Sequence, residues 1–340
     1  MALFGKQRLG IDLGTANTII YIENKGIALR EPSIVALNNE TKAVIAFGKE
    51  AASLVGRTSD TYTTIYPIQA GVIADFELTK QMLAHFIKKA LHRGFSKPEV
   101  VICVPTDVSK VERRAVVDAL KELGIGRAML VDKPFAAATG ANLPVYEPKG
   151  QMIVDIGAGT TDIATISYGE IVCGLSSRNA GNAMNQAIKE MIRERYKMVI
   201  GDDVAEQIKL TLGNAVYTQD DAEDEMKVRG RNAGTGLPDA KQVEAKYVAQ
   251  ALEEVIQDIS ISVRKVLEQT PPELAADISD NGIILSGGGS MLKRLSERLH
   301  HEIGIAVHDV AQPYDCVAIG AGKLLKLMAQ QAKIKERNAR

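Results

Sequence analysis

Two stretches of this sequence repeat one pattern. Gly10-Ile11-Asp12-Leu13-Gly14-Thr15-Ala16-Asn17-Thr18 and Val154-Asp155-Ile156-Gly157-Ala158-Gly159-Thr160-Thr161-Asp162 each read as an apolar strand ending in an aspartate, a Gly/Thr turn, and a second strand. Tyr21-Ile22 continue the first unit and Ile163-Ala164-Thr165-Ile166 the second. Glycine in such a turn lets backbone N–H groups approach a charged ligand with no Cβ in the way. The hydroxyls add donors, and an aspartate at the strand end can hold a metal ion through water. One Asp-x-Gly hairpin is a weak sign, because Asp-Gly turns close ordinary hairpins. Two copies about 140 residues apart constrain the fold far more. They predict two similar half-structures whose turns face each other across one phosphate chain.

A chain of 340 residues has room for two or more domains with their own cores. Hydrophobic residues make up 46% against 24% charged, which excludes a disordered chain. A net charge of −1 gives no reason to expect nucleic acid as a partner. Cys103, Cys173 and Cys316 are scattered, odd in number and without CxxC spacing, so they predict buried thiols in a reducing cytoplasm rather than disulfides or zinc. His300-His301 reads as the polar end of a surface helix. No run approaches the ~20 apolar residues of a membrane span, and the apolar part of the N-terminus is too short for a signal peptide. Leu3 and Phe4 beside Lys6 and Arg8 read either as a frayed terminus or as a small membrane-surface contact. Phe95, in the basic turn after His92-Arg93, reads either as a capping hydrophobe or as a second such contact.

Along the chain, Gly26–Leu29 and Ser33–Leu37 are strand-like, and residues 40–70 are polar and irregular with a short helical piece near Glu50-Ala51-Ala52. Leu78, Met82, Leu83, Phe86, Ile87, Ala90 and Leu91 keep helical spacing. Val100–Val104 and Ala128–Val131 read as buried strands separated by a helix from Ser109 to Leu123, and another helix opens at Pro134. This alternation predicts a parallel sheet with covered faces. In the second half, helices are expected at about 184–195, 203–212 and 243–267, with a small Gly-rich subdomain at 217–242 and a stop at Pro271-Pro272. Gly282–Leu285 runs as a buried strand into Ser286-Gly287-Gly288-Gly289-Ser290, and an amphipathic helix with a basic end is expected from Gly320.

These motifs, with Gly71-Val72-Ile73-Ala74-Asp75, Val111-Glu112-Arg113-Arg114 and Thr270-Pro271-Pro272-Glu273-Leu274, resemble the superfamily of actin, heat-shock chaperones and sugar kinases, and most closely the bacterial actins of the MreB/Mbl family. The resemblance spans essentially the whole chain. It implies a duplicated, ribonuclease H-like α/β fold of four subdomains around a cleft for ATP and magnesium. The expected bounds are 1–32, 66–145 and 318–340 for IA, 33–65 for IB, 146–181 and 243–317 for IIA, and 182–242 for IIB. It also implies self-association into antiparallel double protofilaments at the inner face of the plasma membrane. Inner-membrane lipid, family paralogues and cell-elongation proteins are the further partners it brings.

Carried over by position, the resemblance gives Asp12 and Asp155 the magnesium shell through water. It gives Gly14, Thr15, Ala16 and Asn17 one side of the phosphates, and Gly157, Ala158, Gly159, Thr160 and Thr161 the other. Glu206 and Lys209, three apart on one helix face, match the family's adenosine-contacting pair; read alone they are an ordinary surface ion pair. Gly287, Gly288, Gly289 and Ser290 would cover the nucleotide where a strand meets a helix N-terminus. Thr160 would position the attacking water. The family normally has Glu before Pro134 to orient or deprotonate that water, and here the residue is Lys133. A charged lysine accepts no hydrogen bond from water, and general-base help contributes roughly 10²- to 10⁴-fold. Asp132 should point the opposite way. The expectation is therefore a nucleotide switch with slow or negligible ATP hydrolysis, Lys133 instead pairing with the γ-phosphate. Charge is also lost relative to the family at Gln69, Ala70, Asn182 and Asn185. Two alternatives from the same superfamily are a small-molecule kinase and a chaperone-like ATPase. The first would need a catalytic aspartate beside a sugar pocket, the second a β-rich peptide-binding domain.

Overall fold

The computed structural model describes residues 7–57, 60–91 and 98–326. Leu3, Phe4 and Phe95 lie outside the described residues, as does the basic end of the chain beyond residue 326.

Two five-stranded sheets carry the duplication. The first has the order Arg127–Asp132, Glu99–Val104, Arg8–Leu13, Asn17–Ile22, Gly26–Pro32. The second has the order Val307–Asp309, Ile283–Ser286, Gln151–Ile156, Thr161–Ser167, Glu170–Ser177. In each, the hairpin strands and their outer neighbour are antiparallel while the other two strands are parallel to the leading strand. The sheets are thus mixed rather than parallel, because each aspartate motif closes a hairpin before the first crossover. The registers coincide: Asp12 lies opposite Ile19 and Leu13 opposite Thr18, as Asp155 lies opposite Asp162 and Ile156 opposite Thr161. The leading strand Gln151–Ile156 of the second sheet and strand Glu99–Val104, which has parallel neighbours on both sides in the first, are buried at every residue, as strands covered on both faces must be.

Residues 40–70 hold more order than their polarity implies. Val35–Asn38, Val44–Phe47 and Tyr62–Ile65 form a three-stranded sheet, with helix Gly48–Ala52 beside it. The Gly-rich segment after 217 is likewise a hairpin, Glu225–Asn232 with Pro238–Glu244, extended by Met198–Val199. Helix Lys110–Glu122 starts where Ser109 and Glu112 exchange hydrogen bonds in a capping box. Proline ends helix Ala245–Gln269 as expected, but Pro272 at once opens a further helix, Pro272–Asn281, suited to a position where the missing N–H has no helical partner. Residues 316–326 are helical, so that helix begins four residues ahead of Gly320.

Each half has its own apolar core. A third cluster lies between them and draws on both sheets, with Val101 and Cys103 from the first and Ile153, Ala164 and Ile166 from the second. Helix Lys133–Gly140 and helical residues 316–326 cross within it. A Cβ on Gly140 would strike the Cys316 carbonyl, and one on Gly320 the Ala136 carbonyl, so the two backbones touch directly. The Cys316 thiol donates to the Ala137 carbonyl at 3.2 Å.

Candidate functional site

The two aspartate hairpins meet in the cleft. Their turns close alike: Gly14 N–H donates to the Asn17 carbonyl at 3.1 Å, and Gly157 N–H to the Thr160 carbonyl at 2.8 Å. A Cβ on Gly159 would clash with the Thr15 hydroxyl, so one turn lies against the other. The turn carbonyls are occupied from behind. Ser33 donates its hydroxyl to Gly14 O at 2.7 Å and its N–H to Ala16 O at 2.8 Å. Gly181 N–H reaches Gly157 O at 3.0 Å and Asn182 N–H reaches Ala158 O at 2.7 Å. The amide N–H groups of Thr15, Ala16, Ala158 and Gly159 donate to no protein acceptor among the described residues. Carbonyls turned away and amides left over make a concave donor surface suited to an anion.

Asp155 and Asp12 lie at the feet of these turns. Ser286 donates to Asp155 Oδ1 at 2.6 Å, and burial pushes the Asp155 carboxyl up to about 7 against that bond and the nearby Lys133 charge. Thr160 donates to Asp162 Oδ2 at 2.8 Å, and burial raises the Asp162 carboxyl as well. Lys133 is the first residue of its helix and 7% exposed, with Nζ at 3.0 Å from Asp12 Oδ1. Burial disfavours its charge, but Asp12, Asp155 and Asp162 outweigh that and hold the ammonium above its ordinary range. Desolvation therefore does not turn Lys133 into a base. Asp132 points elsewhere, paired with Arg113, which also reaches the Thr106 carbonyl. This arrangement gives the Val111–Arg114 motif its role in the fold.

Glu206 and Lys209 are more than a surface pair. Lys209 is buried and its Nζ bonds Glu206 at 2.8 Å and the Gly181 carbonyl at 3.1 Å. Asn185 donates to the same Glu206 oxygen at 2.7 Å, which an aspartate at that position would instead repel. Gly287 (φ +84°) and Gly289 back onto Ile156, where neither has room for a Cβ, and Ser290 donates to Gly287 O at 2.8 Å. A cavity of about 100 Å³ lies between these glycines and helix Asp202–Leu212, lined by Lys209, Gly213, Gly288, Gly289, Met291 and Lys293. A larger cavity of about 240 Å³ is lined by Ser290, Arg294, Ser296, Asp309 and Pro313, and neither cavity has Asp12 or Asp155 in its lining.

Sequence reading missed three contributors. Asp162 stands where the first copy has Ile19, so the repeat hides it. Ser286 was visible only as the edge of the glycine run. The third is the small hairpin Ile68–Gln69/Val72–Ile73, whose turn residues Ala70 (φ +47°) and Gly71 (φ +76°) are both left-handed. Gly71 N–H donates to Thr15 Oγ1 at 2.9 Å, so this hairpin braces the first turn. Ala70 is thus one of the changed charges in a position with a physical demand: Asp suits a left-handed turn residue better than Ala does.

The donor-lined turns fit a phosphate chain. The aspartates fit a divalent ion less well, because the Asp12 carboxylate already carries a cation in contact. Among the described residues, no three His, Cys, Asp or Glu side chains are grouped to hold a metal.

Duplicated sheets of this order, joined through a shared helix crossing and opposing aspartate hairpins, define a two-domain protein of the actin-like class. Residues 6–333 match the family model described as MreB/Mbl protein. The cell shape-determining protein Mbl of Bacillus subtilis is 44% identical over 328 residues, 96% of this chain and 98% of that one. The chain belongs to the MreB/Mbl family. MreB5 of Spiroplasma citri, solved with ADP, superposes with a TM-score of 0.92 at 32% identity over 96% of this chain and 98% of that one. The double helical filament of MamK shares the fold, with a TM-score of 0.79 at 24% identity over 95% of this chain and 99% of that one. No helix among the described residues is long and apolar enough to cross a membrane.

Proposed function

We propose that this chain is an ATP-binding, filament-forming actin of the cell-shape cytoskeleton, working at the inner membrane face with slow or negligible hydrolysis. The observation that carries it is the contact between the turns, Gly159 against Thr15, with unpartnered amides on both. A relative solved with ADP and another solved as a double helical filament support nucleotide binding and self-association. Gly14 to Asn17 and Gly157 to Thr161 take the phosphates, Glu206 and Lys209 the adenosine, and Gly287 to Ser290 cover it. For magnesium the resemblance names Asp12 and Asp155, and here Asp12 already has a cation.

Hydrolysis is slow because no base stands at position 133. Thr160 donates its proton to Asp162, which leaves a lone pair free to accept from water, but orientation alone does not deprotonate it. The four subdomains keep the bounds given above, the two small sheets forming the cores of IB and IIB. Antiparallel double protofilaments would multiply the few apolar contacts that Leu3, Phe4 and Phe95 offer to lipid, as avidity requires. Calorimetry with ATP, paired with sedimentation and electron microscopy, tests this reading. Saturable binding and ATP-dependent protofilaments are expected; no affinity for adenine nucleotides would overturn it.

A further inference from the structure

We propose that Lys133 is a built-in counter-cation of the nucleotide site, so that ATP binding does not depend on a divalent metal ion. The inference rests on the nucleotide reading above and deepens it. The Lys133 ammonium lies 3.0 Å from Asp12 Oδ1 as an ion pair, and that buried oxygen receives no hydrogen bond of acceptable geometry from any donor among the described residues, Lys133 included. Asp12 and Asp155 are the equivalent residues of the two hairpins, so the lysine stands at the foot of both turns, where positive charge must balance a triphosphate.

The position is structurally fixed. Lys133 begins helix Lys133–Gly140, whose positive end would ordinarily disfavour a cation. Its ammonium is nevertheless buried there, in contact with Asp12 of the first half and within the field of Asp155 and Asp162 of the second, and Pro134 limits the backbone choices before it. In a site with a glutamate at this position, the aspartates and the triphosphate would all be negative and a divalent ion would be obligatory. Here the lysine supplies a donor and a positive charge at the same place. A further divalent ion beside a buried ammonium is opposed by like-charge repulsion.

The test is ATP binding to the nucleotide-stripped full chain by calorimetry, once with magnesium and once with excess EDTA. Wild type is expected to bind with affinities within about threefold of each other in the two conditions. Lys133→Gln keeps the size and a polar tip but removes the charge. In EDTA it is expected to bind about 10- to 150-fold more weakly than in magnesium, the range that losing a charge-assisted hydrogen bond implies. A tenfold or larger loss for wild type on chelation overturns the inference, and that measurement needs no variant. A Lys133→Gln protein that stays insensitive to EDTA also overturns it. Absence of binding in both conditions instead removes the nucleotide reading itself.

Discussion

Restoring the glutamate is the sharpest perturbation this cleft allows. In Lys133→Glu, an ion pair at 3.0 Å becomes a like-charge contact. At an effective dielectric of about 20, a unit pair at that distance interacts by roughly 5 to 6 kcal/mol. Relaxation and proton uptake limit the cost, and Asp155, already raised to about 7, is a ready proton acceptor. Breaking a buried pair typically costs about 3 to 5 kcal/mol. The nucleotide-free variant should therefore melt lower by on the order of 10 °C, and magnesium should restore part of the loss by replacing the missing cation. With magnesium and ATP, the carboxylate can accept a proton from a water held by Thr160. Phosphate release should then rise by roughly 10²- to 10⁴-fold, the usual range of general-base help. The assay is phosphate release alongside polymer mass, for both proteins. An unchanged rate from a folded variant that still binds ATP would refute the reasoning, because the missing base would not then be the limiting element.

Three other outcomes follow from named contacts. Gly159→Ala drives a methyl group into Thr15, and calorimetry should show ATP affinity reduced by about 5- to 150-fold, matching an overpacking cost of about 1 to 3 kcal/mol. Ala70→Asn suits a left-handed turn residue, and denaturant melts should show stabilisation by about 0.5 to 1 kcal/mol; a loss would mean that the hairpin turn is not strained. The Asp155 carboxyl is raised in the fold, so between about pH 4 and about pH 7 the folded chain holds a proton that the unfolded chain has released. Nucleotide-free stability should fall across that window as pH rises, by at most about 1.4 kcal/mol per unit, and level off above it. Asp155→Asn should flatten the profile.

Legibility differed with the physics behind each element. The hairpin pair and the buried strands could be read because glycine, aspartate and unbroken Val/Ile runs each admit few backbone solutions. The two strands within residues 40–70 that complete the sheet begun by Val35–Asn38 could not, because they are short and half-exposed and carry little alternation. Pro271-Pro272 marked a stop correctly, yet the same proline that ends one helix is well placed to begin another. At the site, Lys133 stood out by its departure from the family, whereas Asp162 did not, since its partner in the repeat is an isoleucine. The link from Asn185 to Glu206 joins residues 21 apart, and only the packing of two helices brings them together.

Helix Lys133–Gly140 bears on both ends of the molecule's chemistry. Its first residue carries the ammonium among the aspartates, and its last is the glycine pressed on the Cys316 carbonyl. Eight residues make a rod of about 12 Å with no joint in it. The ammonium in the cleft and the backbone crossing at the seam between the two halves are thus the two ends of one unbroken helix.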